Sequence, residues 1–329
     1  MAEILKTGEA MERALALLEA GEVVAIPTET VYGLAGDATN GAAVARIFEA
    51  KGRPRFNPLI AHVSGLAMAS EIAVFDSLSE KLAQAFWPGP LTLVLPLAEG
   101  AAIHPLVTAG LDTIALRMPQ GFGAELIAHF GRPLAAPSAN SSGRITSTTA
   151  QAVEADLGDK IPLIVDGGPT EVGVESTIVK VENGTLRLLR PGGIAAEVVE
   201  AAAGRLLLRG ATAGVEAANV EAPGMLASHY APDAAVRTDA TSLRPGEALL
   251  AFGLQRAEGA DDAVAMLNLS PAGNLREAAA NLFTYLQRLD ATGARTIAVE
   301  PVPDTGLGEA INDRLSRAAA PRDIPAGNR

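Results

Sequence analysis

The sequence predicts an α/β protein with two domains. Its 329 residues exceed the usual size of one domain and are enough to build two hydrophobic cores. Segments with strand and helix patterns alternate along the chain, which is typical of sheets covered by helices. Hydrophobic residues make up 48% of the chain and aromatic residues 4%, so we expect aliphatic cores.

The composition excludes several classes of function. The formal net charge of −12 argues against broad, non-specific binding of nucleic acid, because phosphates require clustered Lys and Arg. A local basic pocket for a small anion stays allowed. The chain has no cysteine, which excludes disulfides, thiolate nucleophiles and cysteine zinc sites.

The first residues do not resemble a secretory signal. They place acidic side chains within an amphipathic helix and lack a basic start followed by an apolar core. No apolar stretch approaches the length that spans a bilayer. We therefore expect a cytoplasmic protein with no membrane partner.

A helix and a strand open the chain. Residues 8–20 have the apolar spacing of an amphipathic helix, which Gly21 ends. Residues 22–26 then predict a strand that must stop at Pro27. The polar side chains of residues 28–32 follow at the end of this strand, where they suit contacts with a ligand.

A cluster of basic residues follows the next helix. Residues 42–50 predict this helix, and Gly52 ends it. Lys51, Arg53 and Arg55 supply three cations within five residues, in a loop stiffened by prolines. This pattern indicates an anion-binding loop. The alternative is that cations simply favour the end of a helix.

The middle of the chain adds strands and helices with polar ends. Strands are predicted at residues 91–95, 113–118, 134–137 and 163–165, and helices at residues 79–86 and 150–157. The alternation in residues 113–118 places Arg117 on one face with Thr113, where the arginine requires a partner. The single Trp87 is interpreted as a packing residue.

A stretch rich in Ser, Thr and Gly precedes the helix at residues 150–157. Such a turn exposes backbone N–H groups at a helix N-terminus, where phosphate groups bind. The alternative is an ordinary capped loop, in which Thr148 and Gln151 form a capping box.

Residues 177–190 predict a β-hairpin. Asn183-Gly184 is the signature of a two-residue type I′ turn, which pairs Thr177 with Arg190. Strict pairing places Ser176 on the opposite face from Arg190. Both side chains reach one ligand only if the strand bulges or twists.

The periodicity weakens over residues 206–246, which are interpreted as a linker with an apolar and aromatic middle. After it, strands are predicted at residues 248–252, 263–269 and 296–299, and helices at residues 275–289 and 307–318. The chain thus divides into a first domain (1–205), a linker (206–246) and a small α/β domain (247–329).

Six stretches resemble the YrdC-domain family of threonylcarbamoyl-AMP synthases. They are PTETVYGL (27–34), KGRPRFNPLIAHV (51–63), SAN (138–140), ESTIV (175–179), RPGG (190–193) and SHYAPD (228–233). The resemblance spans residues 8–235 and extends more weakly to the C-terminus. It implies a YrdC-like twisted mixed sheet with flanking helices, a Rossmann-like C-terminal domain and a linker that forms a lid over the active site.

The resemblance also implies a reaction. L-Threonine and bicarbonate form a carbamate, whose oxygen attacks the α-phosphate of ATP and expels pyrophosphate. The threonylcarbamoyl-AMP then passes to a tRNA-modifying transferase complex that makes threonylcarbamoyladenosine at position 37 of tRNA. Mg²⁺ is expected beside the triphosphate, held mainly by phosphate oxygens and water. Such chemistry needs positioning and charge stabilisation rather than a nucleophilic side chain.

The same resemblance assigns the site residues. For L-threonine these are Thr30, His62, Arg117, Ser138 and Ser176. For ATP they are Arg53, Asn57, Thr113, Asn140, Thr148, Arg190 and Tyr230. Lys51 and Arg53 are the candidate catalytic residues, and no residue is assigned to a metal. Cations must hold the phosphates because no Lys follows a Gly as in a Walker A motif.

Three alternatives remain at this stage. The first is an RNA-binding module, although the acidity of the chain and its few aromatic residues disfavour direct nucleic-acid binding. The second is a sensor that binds threonine and a nucleotide without turnover. The third is an enzyme that adenylates another carbamate.

Overall fold

The computed structural model describes residues 1–209, 220–225 and 228–321, and these residues form two sheets. The strands are β1 (Glu3–Lys6), β2 (Val24–Ile26), β3 (Gly33–Asp37), β4 (Ile60–His62), β5 (Leu91–Pro96), β6 (Thr113–Arg117), β7 (Leu134–Ala135), β8 (Leu163–Asp166), β9 (Thr177–Glu182), β10 (Thr185–Arg190), β11 (Leu208–Arg209), β12 (Ala235–Arg237), β13 (Ala248–Ala251), β14 (Met266–Asn268) and β15 (Thr296–Val299). The α-helices are α1 (Thr7–Glu19), α2 (Gly41–Lys51), α3 (Leu66–Ile72), α4 (Ser77–Phe86), α5 (Pro105–Thr108), α6 (Phe122–Phe130), α7 (Ala150–Leu157), α8 (Ala196–Ala203), α9 (Leu275–Asp290) and α10 (Leu307–Ala319).

The larger sheet is mixed and follows the order β1-β8-β2-β3-β7-β4-β6-β5-β9-β10-β11. Helices pack on both of its faces. Val24 and Ile26 lie in one core with α1 and α6, whereas Val23 and Ala25 lie in the core that contains α2 and α4. The twisted mixed sheet with flanking helices is therefore confirmed.

The second sheet is parallel, in the order β12-β15-β13-β14, and α9 and α10 pack against it. This arrangement confirms the small Rossmann-like α/β domain. Its hydrophobic core also contains Val31, Ile145 and Val174 of the first domain. The two domains thus share one continuous core beside the loops that follow β2 and β8.

The sequence locates α2 and its C-terminal end correctly. The side chain of Asn40 accepts hydrogen bonds from the backbone N–H groups of Ala42 and Ala43 at the helix N-terminus. Gly52 adopts a φ of 59° and ends the helix, as predicted. α2 therefore delivers Lys51 and the basic loop directly to the edge of β4.

The sequence does not predict β3, because this strand lacks the alternation of a half-buried strand. All five residues of β3 are buried, and a Cβ at Gly36 would lie 3.2 Å from the Ile47 side chain. Small residues are therefore required where α2 packs closely on the sheet. β1, α3, α5, α6 and α8 are also absent from the sequence prediction.

The hairpin of β9 and β10 contains the bulge on which a shared ligand contact depends. The turn is type I′, since Asn183 and Gly184 have φ values of 51° and 70°. The predicted pairing of Thr177 with Arg190 is wrong, because the register shifts after Leu188 and Arg190 pairs with Ile178. This shift turns the Arg190 side chain towards Ser176.

The predicted capping box at α7 is wrong by one residue. The N-cap is Thr149, whose side chain accepts a hydrogen bond from the backbone N–H of Ala152. The hydroxyl of Thr148 instead forms a hydrogen bond of 2.9 Å with the hydroxyl of Thr284 on α9. The loop before α7 is thus fastened to the second domain.

Part of the predicted linker can be described. Residues 210–219 and 226–227 lie outside the described residues, and β12 joins the second sheet. Glu221 accepts hydrogen bonds from Arg187, with the nearer oxygen at 2.6 Å, and forms an ion pair of 2.9 Å with Lys180. The division of the chain at residues 205 and 246 stays a prediction. Over the described ranges, no helix has the length and apolar character that crossing a membrane requires.

Candidate active site

A cleft lies on the face of the larger sheet beside α1 and α6, where residues 220–225 cover the sheet. The empty space in the cleft, together with the open solvent at its mouth, is about 470 Å³. Its walls combine charged, hydroxyl and aromatic side chains. They are formed by Val31, Arg53, Ile60, His62, Arg117, Ala136, Pro137, Ser138, Glu175, Ser176, Arg190, Pro223, Gly224, His229 and Tyr230. Residues from every predicted motif therefore meet at one place.

The parallel strands β4 and β6 place His62 beside Arg117, in register. Both side chains lie at the carboxyl ends of their strands. Burial and the positive charge of Arg117 lower the pKa of His62 to about 3, so the imidazole is neutral near pH 7. Its Nδ1 atom is buried and has no partner among the described residues, which suits a ligand contact.

Arg117 is held in place by the loop that follows β2. Its Nη2 atom donates a hydrogen bond of 2.6 Å to Glu29 Oε1, and its Nε atom donates to the carbonyl of Gly89 at 3.2 Å. Both partners of the ion pair are almost fully buried. Glu29 therefore orients the guanidinium and is engaged by it.

The hydroxyl groups of Thr28 and Thr30 form a hydrogen bond of 2.9 Å in the same loop. Thr28 also donates to the carbonyl of Val31 at 2.7 Å, which closes the loop into a tight turn. Thr30 is fully buried and lies next to the cleft residue Val31 rather than on the cleft wall.

The bulge in β10 joins Arg190 to Ser176. Nη2 of Arg190 donates to the carbonyl oxygen of Ser176 at 3.0 Å and to its hydroxyl at 3.2 Å. The hydroxyl of Ser176 also forms a hydrogen bond of 2.7 Å with that of Thr92. Burial lowers the pKa of Arg190. The predicted contacts for threonine and for ATP are therefore adjacent.

The loop after α2 fixes Arg53 through its own backbone. Arg53 donates to the carbonyls of Asn57 at 3.2 Å and Pro58 at 2.8 Å. Burial lowers its pKa to about 10. Both polar atoms of the Asn57 amide are buried and have no partner among the described residues. An amide in this state is expected to bond to a ligand.

Lys51 lies behind the cleft wall rather than on it. Its ammonium group donates to the carbonyl oxygen of Ser138 at 2.5 Å and to that of Asn140. Burial and the nearby charge of Arg53 lower its pKa to about 7. In the described structure Lys51 supports the SAN loop, and its catalytic role stays a prediction.

Besides Asn57, three residues predicted to contact ATP lie off the cleft wall. The side-chain amide of Asn140 donates to the backbone carbonyls of Ser141 and Arg144, and its Oδ1 atom is buried without a partner among the described residues. Thr148 contacts the second domain. Thr113 is at the amino end of β6, four residues before Arg117. Their contacts with ATP stay predictions.

Among the cleft residues that the sequence does not single out, four are in the ESTIV motif or in the predicted linker. Glu175, Pro223, Gly224 and His229 line the cleft, and Glu175 is buried. Glu175 and His229 stand within the ESTIV and SHYAPD motifs, whereas Pro223 and Gly224 belong to the predicted linker. Position within a motif was therefore the available signal for Glu175 and His229. The approach of Pro223 and Gly224 to the cleft depends on how the linker folds.

The cleft has an excess of buried positive charge. Arg53 and Arg190 are buried on the cleft wall, and neither forms an ion pair with a carboxylate among the residues of known placement. Burying unpaired cations is costly. The arrangement therefore favours a ligand that carries several negative charges.

The side chains do not form a cage for a metal. Over residues 1–209, 220–225 and 228–321, no group of three His, Asp or Glu side chains is placed to hold an ion. The carboxylate on the cleft wall, Glu175, accepts hydrogen bonds from Thr146 and Arg314. No protein carboxylate is therefore assigned to a metal.

Comparison with known proteins identifies the family. Residues 16–192 match the family model described as Telomere recombination, and residues 194–320 match the one described as Threonylcarbamoyl-AMP synthase, C-terminal domain. The chain is 40% identical to the threonylcarbamoyl-AMP synthase of Pyrococcus abyssi over 324 residues, which cover 94% of each protein. The chain belongs to the threonylcarbamoyl-AMP synthase family.

Other members of the family agree with this assignment. The threonylcarbamoyl-AMP synthase of Bacillus subtilis is 40% identical over 327 residues, covering 95% of this chain and 93% of the relative. A crystal structure of Pyrococcus abyssi Sua5 in complex with L-threonine superposes with a TM-score of 0.87 at 36% identity. It covers 97% of this chain and 98% of the other. The two-domain architecture of the family is thus present in full.

Proposed function

We propose that the protein is a threonylcarbamoyl-AMP synthase, a nucleotidyltransferase that joins L-threonine, bicarbonate and ATP. One observation carries the proposal. A single cleft contains the residues predicted for threonine, including His62 and Arg117, and the cations predicted for ATP, Arg53 and Arg190. The two substrates would therefore meet within reach of each other.

The end of the cleft at β4 and β6 suits L-threonine. Arg117 presents a fixed guanidinium to the carboxylate of the amino acid. A guanidinium and a carboxylate have matching planar geometries and can form two parallel hydrogen bonds. The neutral His62 and the hydroxyls of Ser138 and Ser176 complete a polar pocket for the amino and hydroxyl groups. Pyrococcus abyssi Sua5 has been crystallised with L-threonine, which supports this assignment.

The other end suits the nucleotide. Arg53 and Arg190 supply positive charge for the phosphates, and the unpartnered Asn57 amide is available for a hydrogen bond. Tyr230 forms a wall of the cleft and packs 5.5 Å from the ring of Phe283. We assign Tyr230 to the nucleotide, together with Thr113, Asn140 and Thr148 as nearby supporting contacts.

The proposed chemistry proceeds in two steps. The amine of threonine attacks bicarbonate and forms a carbamate with loss of water. A carbamate oxygen then attacks the α-phosphorus of ATP, and the bond to the leaving pyrophosphate breaks. Arg53 and Arg190 stabilise the charge that grows on the phosphate oxygens, and the cleft supplies proximity. Lys51 acts by fixing the SAN loop against the reacting groups.

Mg²⁺ is proposed to arrive with ATP, coordinated by phosphate oxygens and water. The product is a reactive mixed anhydride and is proposed to pass to a transferase complex that modifies tRNA. Because ATP, threonine and tRNA are found there, the enzyme is proposed to act in the cytoplasm. Strong direct binding of nucleic acid is not expected from a chain with a net charge of −12.

An omission assay tests the proposal. The purified protein is incubated with ATP, Mg²⁺, bicarbonate and L-threonine, and the release of pyrophosphate is followed while each component is left out in turn. Release is expected only when all are present. Pyrophosphate that forms without threonine would contradict the proposal, and binding of ATP and threonine without release would identify a sensor.

A further inference from the structure

Arg314 of α10 is the largest fully buried side chain among the described residues. It reaches from the second domain into the wall of the first. Its Nε atom donates to Glu175 Oε2 at 3.0 Å, and its Nη1 atom donates to the carbonyl of Pro191 and to Asp313, both at 2.8 Å. Residues on two domains are thus joined by one guanidinium.

Glu175 is the carboxylate that Arg314 holds, and it lies on the cleft wall near Arg190. Its other oxygen accepts a hydrogen bond of 2.8 Å from the hydroxyl of Thr146. Burial alone would raise the pKa of Glu175, but the charges of Arg314 and Arg190 and the Thr146 hydroxyl lower it to about 2. The carboxylate is therefore ionised at neutral pH.

An ionised carboxylate on this wall could compete with the phosphates of ATP for the guanidinium of Arg190. A carboxylate and a phosphate make the same charge-assisted bonds to a guanidinium. If Glu175 were released, it would turn to Arg190 and occupy the cation that the proposed function assigns to ATP. Both oxygens of Glu175 are instead taken up on the side of Thr146 and Arg314.

We propose that Arg314 is a positioning residue for ATP binding: by holding Glu175, it prevents that carboxylate from pairing with Arg190, whose positive charge then stays available to the phosphates of the nucleotide. The inference rests on the proposed function. It gives the second domain a direct part in the site. The Arg314 guanidinium also lies 5.3 Å from the centre of the Tyr230 ring, which supports a second cleft wall.

The substitution Arg314→Met tests the inference by steady-state kinetics. It removes the charge and keeps a long side chain. The KM for ATP is expected to rise by about tenfold or more, as for the loss of a buried charged contact. The KM for threonine should change less than about threefold, since Arg117 has its own carboxylate in Glu29. A Michaelis constant does not depend on the fraction of enzyme that is folded. Loss of folding alone would therefore leave the KM for ATP and the KM for threonine unchanged.

The double variant Glu175→Gln with Arg314→Met supplies the rescue. The amide introduced at position 175 would not compete for Arg190 as a carboxylate does, so the KM for ATP is expected to return to within about threefold of the wild-type value. If Arg314→Met does not fold, the double variant decides alone. A tenfold higher KM for ATP in the double variant, on the order of one lost charged contact, would overturn the inference.

The matched control is Arg256→Met. Arg256 forms an ion pair of 2.5 Å with the buried Glu300 inside the second domain and is not part of the cleft. Its loss is expected to lower stability and leave the KM for ATP unchanged. An equal rise in both variants would mean that Arg314 is merely structural. A wild-type protein without synthase activity would instead contradict the proposed function.

Discussion

Arg117 is the residue on which recognition of threonine depends in this account. The carboxylate of Glu29 and the carbonyl of Gly89 fix its orientation. A lysine would keep the charge at this position but would lose the planar fork that binds two oxygens at once. The position therefore demands arginine rather than any cation.

Arg117→Lys is expected to raise the KM for threonine by about tenfold or more while the KM for ATP changes little, because one bidentate contact is lost. Initial rates at varied threonine and fixed ATP measure this effect. Arg132→Lys, at a half-exposed ion pair with Glu19, is the control. Equal effects on both Michaelis constants would contradict the assignment.

The buried histidines make stability depend on pH. Burial lowers the pKa values of His62 and His229 from 6.5 to about 3. Between these values the unfolded chain binds more protons than the folded chain, so the free energy of unfolding falls as the pH falls below 6.5.

The variant His62→Gln is expected to reduce this dependence, because it removes one of the two buried histidines that take up a proton on unfolding. Urea denaturation at several pH values between neutral and about pH 5 measures the slope. His129→Gln, on the exposed end of α6, should leave the slope as it is. A slope unaffected by His62→Gln would contradict the argument.

At the residue scale the sequence predicts seven of the fifteen residues that line the cleft. His62, Ser138, Ser176 and Tyr230 lie on its wall, and each belongs to a motif whose order along the chain is distinctive. Arg117 also lies there, at the end of the strand that the alternation in residues 113–118 predicts. Lys51 was not expected to lie behind the wall. Its partners are backbone carbonyls, and no sequence pattern reports such contacts.

The hairpin shows what changes at the scale of elements. The turn could be predicted because Asn183-Gly184 adopts positive φ readily. The bulge before Arg190 could not be predicted, because it depends on the hydrogen bonds that Arg190 makes with Ser176. Local turn chemistry is thus readable from sequence, whereas a register shift depends on tertiary contacts.

The segment at residues 220–225 packs against the cleft residues Arg190 and Tyr230 at a glycine. Gly224 has a φ of 85°, and a Cβ there would lie 2.8 Å from Arg190 Cδ and 3.0 Å from the Tyr230 hydroxyl. No side chain fits without displacing one of these two cleft residues.

Gly224→Ala is therefore expected to raise the KM for ATP by about tenfold, since the new methyl group displaces Arg190. Gly246→Ala is the control, because Gly246 has a φ of 82° and no atom within 4 Å of its Cβ position. Both should lose about 1 kcal/mol of stability from the backbone strain. A normal KM for ATP in Gly224→Ala would show that the segment does not bear on the nucleotide.

For the whole molecule, the shared core makes the two domains one cooperative unit. Val31, Ile145 and Val174 pack with the residues of α9 and α10. The sequence predicts both domains separately, but the residues of this interface are scattered along the chain and form no pattern. The contact between Glu175 and Arg314, 139 residues apart, is invisible for the same reason.

The two domains approach each other closely at Gly173. A Cβ on this residue would lie 2.4 Å from the Ala279 carbonyl oxygen and from Ala280 Cα. Gly173→Ala is expected to lower the free energy of unfolding by about 2 kcal/mol or more and to broaden or split the single calorimetric transition. Gly168→Ala, at a φ of 79° with no neighbour within 4 Å, should keep one transition. Identical transitions in the two variants would contradict the coupling of the domains.

The composition of the product tests the central claim most directly. The protein is incubated with Mg²⁺, ATP labelled at the α-phosphate, labelled bicarbonate and tritiated L-threonine, and the nucleotide product is isolated at once. The account predicts one adenylate that contains phosphate, bicarbonate carbon and threonine in equal amounts. An adenylate that carries threonine without the bicarbonate carbon, or AMP alone, would contradict it.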